Sequence, residues 1–314
     1  MEQIILLIGF CLASYSVIAN DAIQTLGTFI SSNIKRPWWV LWLFAGSILT
    51  ATLLLGWYIN NGDVAYGRLD EIPYPENINW WYVLPPLILL VVTQFGLPVS
   101  TTFLVLSVFS STQVIEKMLL KSVIGYSVAF AFAIGVYFII AKYTEIEKVD
   151  NKDKKLHWRW EALQWISTSW LWIQWLVQDF ANIYVFLPRE LSLNYLLLSL
   201  GFMLLVVGLV FKMGGGKIQK VVTQKTNTEN IRSATIIDLV YAVVLFVFTV
   251  VNPIPMSTTW VFIGILAGRE FAIMLRHDKK AVKIARKKVM FDLYKVNAGL
   301  IISILVAFVI RYFN

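Results

Sequence analysis

Eight apolar runs, at about 3–19, 38–60, 80–95, 122–141, 161–187, 194–212, 235–251 and 293–313, leave this chain few choices of fold. A helix needs about 20 apolar residues to cross the hydrocarbon of a bilayer. Composition agrees: 58% of the 314 residues are hydrophobic and 15% charged, with a mean hydropathy of +0.68. Soluble domains carry about a quarter charged residues, and a water-soluble globule of this size could not hide so much apolar surface. The chain therefore reads as an all-α polytopic membrane protein, which excludes most soluble enzymes. The formal charge of +8 is then no footprint of nucleic acid, and no nucleic-acid partner is expected. Cys11 stands alone, which excludes a disulfide framework or a cysteine metal cluster. His157 and His277 lie in charged stretches, against a histidine metal site. The start, Met-Glu-Gln, lacks the basic region of a cleavable signal.

Two further apolar pieces, 99–110 and 256–268, are short. Each follows a longer run across a proline break, Gly96-Leu97-Pro98 and Asn252-Pro253-Ile254-Pro255. Proline removes a backbone donor and bends a helix, and broken backbone at membrane depth survives only when buried in protein or lining a wet cavity. The segments 80–110 and 233–268 read as helical hairpins. Loops rich in Lys and Arg mark the cytoplasmic side: Lys35 and Arg36 in 33–37, six basic residues against four acids in 142–160, four against one in 213–232, and eight against two in 269–288. The stretch 61–79, with Arg68 against Asp63, Asp70, Glu71 and Glu76, belongs outside. Both termini then fall outside, hairpin 80–110 starts and ends outside, and hairpin 233–268 starts and ends inside. The expected membrane is the plasma or inner membrane.

The halves repeat. Pro98-Val99-Ser100-Thr101-Thr102-Phe103 returns as Pro255-Met256-Ser257-Thr258-Thr259-Trp260 at an offset of 157. Asn20-Asp21-Ala22-Ile23-Gln24 aligns with Gln178-Asp179-Phe180-Ala181-Asn182 at an offset of 158. Two unrelated motifs share one offset, half the chain length. With hairpins of opposed orientation, this is the pattern of two inverted-topology repeats whose site lies where they meet. The expected organisation is repeat 1 over 1–141, a charged cytoplasmic linker over 142–160 and repeat 2 over 161–314.

Asp21 and Asp179 lie inside apolar segments. An ionised carboxylate there costs several kcal/mol, so such residues tend to face a cavity and act. Each has an amide one residue before it and another three after it: Asn20 and Gln24, Gln178 and Asn182. Amide oxygens with a carboxylate make a hard-cation shell suited to Na⁺, with Asp21 and Asp179 as its ligands; the amide N–H₂ groups can instead donate to an oxyanion. Ser100, Thr101 and Thr102, like Ser257, Thr258 and Thr259, follow a proline at the start of a hairpin arm. A helix beginning there offers free N–H groups, hydroxyls and the positive end of its dipole to an anion; one such triplet alone would read as N-capping. No Lys or Arg falls at the middle of a predicted span. An anion meeting two carboxylates at about 4 Å would be repelled by several kcal/mol, so cations, or protons on the aspartates, must enter with it.

At these residues the chain resembles the inorganic phosphate transporter (PiT, sodium/phosphate symporter) family. Its hallmarks are a Gly-Ala-Asn-Asp-Val-Ala-Asn-Ala-like segment and a Pro-Val-Ser-Thr-Thr-His-like hairpin tip in each half. Here they read Ala19 to Thr28, Gln178 to Asn182, Pro98 to Phe103 and Pro255 to Trp260. The resemblance implies a secondary transporter, not an enzyme, that moves phosphate with Na⁺ or H⁺ by alternating access and needs no cofactor. The Ser/Thr hydroxyls with Gln24 and Asn182 would hold the oxyanion, and Asn20, Asp21, Gln178 and Asp179 would serve the cation. Gln24 and Gln178 stand where the family has Asn, and Phe103 and Trp260 where it has His. Sulfate in place of phosphate, a non-transporting scaffold of the same fold, and a homodimer all stay open.

Other features have plainer readings. The clusters Trp38-Trp39-Trp42, Trp80-Trp81 and Trp158 through Trp175 read as interfacial belts, with Trp170, Trp172 and Trp175 deeper. Gly214-Gly215-Gly216 reads as a flexible linker, Lys279 to Lys288 as cytoplasmic anchoring, and Asp238 as an unassigned acid near the cytoplasmic boundary.

Overall fold

A computed structural model describes residues 1–75, 78–95, 99–144, 154–226 and 231–275, with scattered helical positions between 290 and 309. Pro98, the middle of the charged linker, His277, the basic cluster from Lys279 to Lys288 and most of the last apolar run lie outside the described residues. Every regular element among the described residues is helical.

The first apolar run is longer than its hydropathy suggests. Helix α1, Glu2–Val17, passes through a π-turn, Ile18–Ala22, into α2, Ile23–Ser32. Pro37 then precedes α3, Trp38–Ile59. A 3₁₀ turn, Trp80–Val83, leads into α4, Leu84–Gln94, and a second π-turn, Thr102–Leu106, runs into the short α5, Ser107–Phe109. Next come α6, Thr112–Thr144, and α7, Lys154–Tyr184. They are followed by α8, Leu193–Lys212, α9, Gly216–Thr226, α10, Ile231–Val251, and α11, Thr258–Leu275. Five stretches among the described residues are long and apolar enough to cross a bilayer: Glu2–Ser32, Trp38–Ile59, Thr112–Ile139, Leu193–Lys212 and Ile231–Val251. The chain is an integral membrane protein. Helix α7 covers the expected run 161–187 up to Tyr184 without reaching that hydropathy, because it turns Gln164, Thr168, Gln178, Asp179 and Asn182 into the protein, all buried. Helix hydroxyls satisfy themselves locally, as Ser14, Thr50, Thr93, Ser122 and Thr249 each donate to the carbonyl four residues earlier.

Helix α11 packs along α6, α10 along α7, α4 on α1, α3 on α8 and α9 on α2. Gly264 and Gly268 set the closest approach. A Cβ on Gly268 would lie 2.3 Å from the Phe130 carbonyl oxygen, and one on Gly264 2.6 Å from that of Tyr126. Small residues four apart let helix backbones meet where no hydrophobic force drives them together. Gly268→Ala is expected to lower the unfolding midpoint in detergent, at a cost of about 2 kcal/mol. Gly201→Ala, where an added Cβ meets nothing within 4 Å, is expected to leave it unchanged.

One expectation is corrected and another is met. Gly214, Gly215 and Gly216 have φ of 61°, 76° and 64°, conformations that glycine adopts without strain. They form a tight turn between α8 and α9 rather than a flexible linker. Helix α9 is anchored by Gln219, whose Nε2 donates to the Gly27 carbonyl at 2.9 Å. Trp172 and Trp175 are fully buried and stacked, 4.9 Å apart, and Trp172 donates to the Ala45 carbonyl, so these two are core.

Candidate functional site

Each π-turn falls on a sequence motif. The first carries Asn20 and Asp21, the second Thr102 and Phe103. A π-turn inserts one residue into the helical ladder and often marks a functional position. No spacing rule exposes it in the sequence. The first hairpin tip resumes at Val99 and the second, 252–257, is extended until α11 begins at Thr258.

The tips touch reciprocally. Thr102 Oγ1 donates to the Met256 carbonyl at 3.1 Å, and Thr259 Oγ1 to the Val99 carbonyl at 3.4 Å. Under the 157-residue offset each bond is the image of the other, the contact pattern of a two-fold axis. Phe103 and Trp260 meet with ring centroids 5.8 Å apart. The N–H groups of Phe103 and Trp260 donate to Ser100 Oγ and Ser257 Oγ, both at 3.3 Å. Both serines therefore cap helix starts, the plainer role open to them from the sequence.

All twelve residues expected at the site are buried: Asn20, Asp21, Gln24, Ser100, Thr101, Thr102, Gln178, Asp179, Asn182, Ser257, Thr258 and Thr259 are each 3% exposed or less. Asp21 is the hub. Its Oδ1 accepts from Asn20 at 2.9 Å, Gln24 at 3.0 Å and Thr259 at 3.0 Å; its Oδ2 accepts from Thr101. Asn20 also donates to the Val99 carbonyl at 2.7 Å. Asn182 donates to Asp179 Oδ1 at 2.7 Å and to Thr101 and Thr102 at 3.0 and 3.3 Å. A carboxylate only accepts, which fixes which end of each amide is nitrogen. Of the amide N–H₂ groups expected to face an oxyanion, that of Gln24 gives one bond to Asp21 and that of Asn182 donates to Asp179, Thr101 and Thr102.

What is left open is oxygen. Asn20 Oδ1, Gln24 Oε1, Asn182 Oδ1, Asp179 Oδ2 and Thr258 Oγ1 are buried without a hydrogen-bond partner. Thr258 stands beside Asp179 without closing a bond of normal geometry, so both oxygens stay free. Each unsatisfied buried acceptor costs about 1–3 kcal/mol.

Three charged residues here were not assigned from the sequence. Lys121 lies inside α6, one residue before the expected span 122–141, and is 6% exposed. Its Nζ donates to the carbonyls of Asn252 at 2.9 Å and Ile254 at 2.6 Å, tying off the free end of α10. The run 122–141 began one residue too late to include it. Arg68, from the loop after α3, is 3% exposed and donates from Nε to Gln178 Oε1 at 3.2 Å. Asp238, on α10, is fully buried against α2 and α7. It accepts from Thr28 and Thr168, each at 2.5 Å.

No family model and no curated protein sequence matches this chain. A solved structure described as "The sodium-dependent phosphate transporter" is similar over 99% of this chain and 99% of its own, with a TM-score of 0.60 at 16% identity. A likeness at that identity speaks to architecture, and the chain shares the fold of that structure.

Proposed function

We propose that this chain is a secondary transporter that couples inorganic phosphate to Na⁺ by alternating access of two inverted repeats, 1–141 and 161–314. The carrying observation is the set of five buried oxygens without donors around two carboxylates. A proton needs one acceptor; a shell of carboxylate, amide and hydroxyl oxygens suits a hard cation. Phosphate enters the proposal from the four sequence motifs and from the named activity of the fold neighbour.

The hydrogen bonds supply a coupling device. Thr101 and Thr259 now give their hydroxyl protons to Asp21. A Na⁺ on Asp21 takes over neutralising the carboxylate and frees both hydroxyls to donate to an oxyanion, beside Thr258. Phosphate is then held well only after the cation is in place. Purified protein in proteoliposomes is expected to take up labelled phosphate under an inward Na⁺ gradient and not under a K⁺ gradient. Uptake of neither phosphate nor sulfate under any cation gradient would sink the proposal. Thr258→Ala and Ser100→Ala are expected to raise the phosphate KM about fivefold each, the worth of one hydrogen bond, with kcat nearly unchanged. An unaltered KM in both removes the hydroxyls from the oxyanion site.

A further inference from the structure

We propose that Arg68 is an oxyanion ligand of this transporter, its guanidinium projecting from the loop after α3 to take a phosphate oxygen beside Gln178 and Asp179. The inference rests on the phosphate reading above and adds a fixed cation to it. Arg68 NH1 donates to the Tyr66 carbonyl at 3.3 Å and Nε to Gln178 Oε1, while the second terminal nitrogen is buried with no partner. No described carboxylate lies within ion-pair distance of it. Asp179 and Asp63 act on it through space, as does the cation of Lys121. Burial pulls the guanidinium down to about 10, which leaves it charged at neutral pH.

A buried guanidinium with an open nitrogen and no ion pair is costly, yet the loop is built to hold it there. Asp63 accepts from the N–H groups of Ala65 at 2.7 Å and Gly67 at 2.5 Å. Tyr66 and Gly67 take φ of 56° and 72°, and a positive φ in a bulky residue is strained. Tyr66 hydroxyl is pinned to the Thr52 carbonyl at 2.6 Å. Arg189 ties the far end of the loop down through the carbonyls of Ile72 and Pro73. A strained, multiply anchored turn that buries an incompletely paired arginine next to a substrate site is explained by an absent anionic partner. Guanidinium matches phosphate as a planar fork of donors. Arg68 also offsets one of the two aspartates, so the site carries less uncompensated negative charge than its motif residues alone suggest.

The test measures equilibrium binding of inorganic phosphate and of sulfate to the detergent-purified full chain, alongside Na⁺-driven uptake. Arg68→Gln is expected to raise the phosphate Kd and KM about tenfold or more, the loss of a charge-assisted bond, while Na⁺ alone still raises the unfolding midpoint as in wild type. Arg68→Lys is expected to recover part of the affinity. Wild-type-like Kd and KM in Arg68→Gln would overturn the inference and leave the transporter proposal standing. Loss of the Na⁺ effect together with phosphate binding would overturn it in favour of a scaffolding role. A wild-type chain that binds neither anion defeats both. If Arg68→Gln does not fold, Arg68→Lys decides: an unchanged Kd overturns the inference, and a raised one supports it.

Discussion

Asp21→Asn is expected to reduce Na⁺-driven phosphate uptake about a hundredfold or more. Four side chains donate to this one carboxylate, three to Oδ1 and one to Oδ2. Hydrogen bonds to a charged group are worth about 1.5–3 kcal/mol each. An asparagine in its place turns one oxygen into an N–H₂ group facing donors, so at least one bond becomes a clash of like partners, and a tenfold loss follows from each 1.4 kcal/mol. The coupling device fails as well, because Thr101 and Thr259 no longer have a carboxylate to be released from. Initial-rate measurements in proteoliposomes check this, with the unfolding midpoint recorded in parallel. Uptake within threefold of wild type at equal protein density would remove Asp21 from the cation site.

Asp179→Asn is expected to have an equally large effect on uptake and to abolish the response of the fold to Na⁺. Only Asn182 donates to Asp179 in normal geometry, and Oδ2 is open. The substitution also removes the carboxylate that offsets the buried Arg68 guanidinium, and leaving one buried charge uncompensated is destabilising, so the cation-free unfolding midpoint should fall. A ligand that binds only the native state stabilises by an amount that grows with its concentration over Kd. Wild type should therefore melt higher as Na⁺ replaces K⁺ at constant ionic strength, and Asp179→Asn should show a flat line. A Na⁺-dependent midpoint that survives in this variant would take Asp179 out of the cation shell.

The motifs were legible because membrane-embedded polar residues stand out against an apolar background. Asp21, Asp179 and the Ser-Thr-Thr triplets announced themselves by recurring at one offset, and the fold buries all of them. The mutual contact of Thr102 with Met256 and of Thr259 with Val99 followed the same offset but needed three dimensions to be seen. Arg68 was not legible as a site residue: its loop reads as polar and acidic, and nothing local says that a turn strained at Tyr66 folds it inward. Lys121 was hidden at the edge of an apolar run, since hydropathy locates a helix end only to within a turn or more. Asp238 lacked a partner at the repeat offset, and its ligands Thr28 and Thr168 come from helices far away in sequence. Helix α9 was missed because a charged, glycine-led stretch resembles a loop; it is held by one glutamine reaching α2.

Among the described residues both π-turns lie in the first half of the chain, at Ile18–Ala22 and Thr102–Leu106, while Asp179, Thr258 and Thr259 sit on ordinary α-helix. Were the halves identical, exchanging their conformations would convert one open state into the other with no change in free energy. The extra residue wound into only one half lifts that degeneracy. On the alternating-access proposal the two open states therefore differ in free energy even without ligands, and the two bulges are one source of that difference.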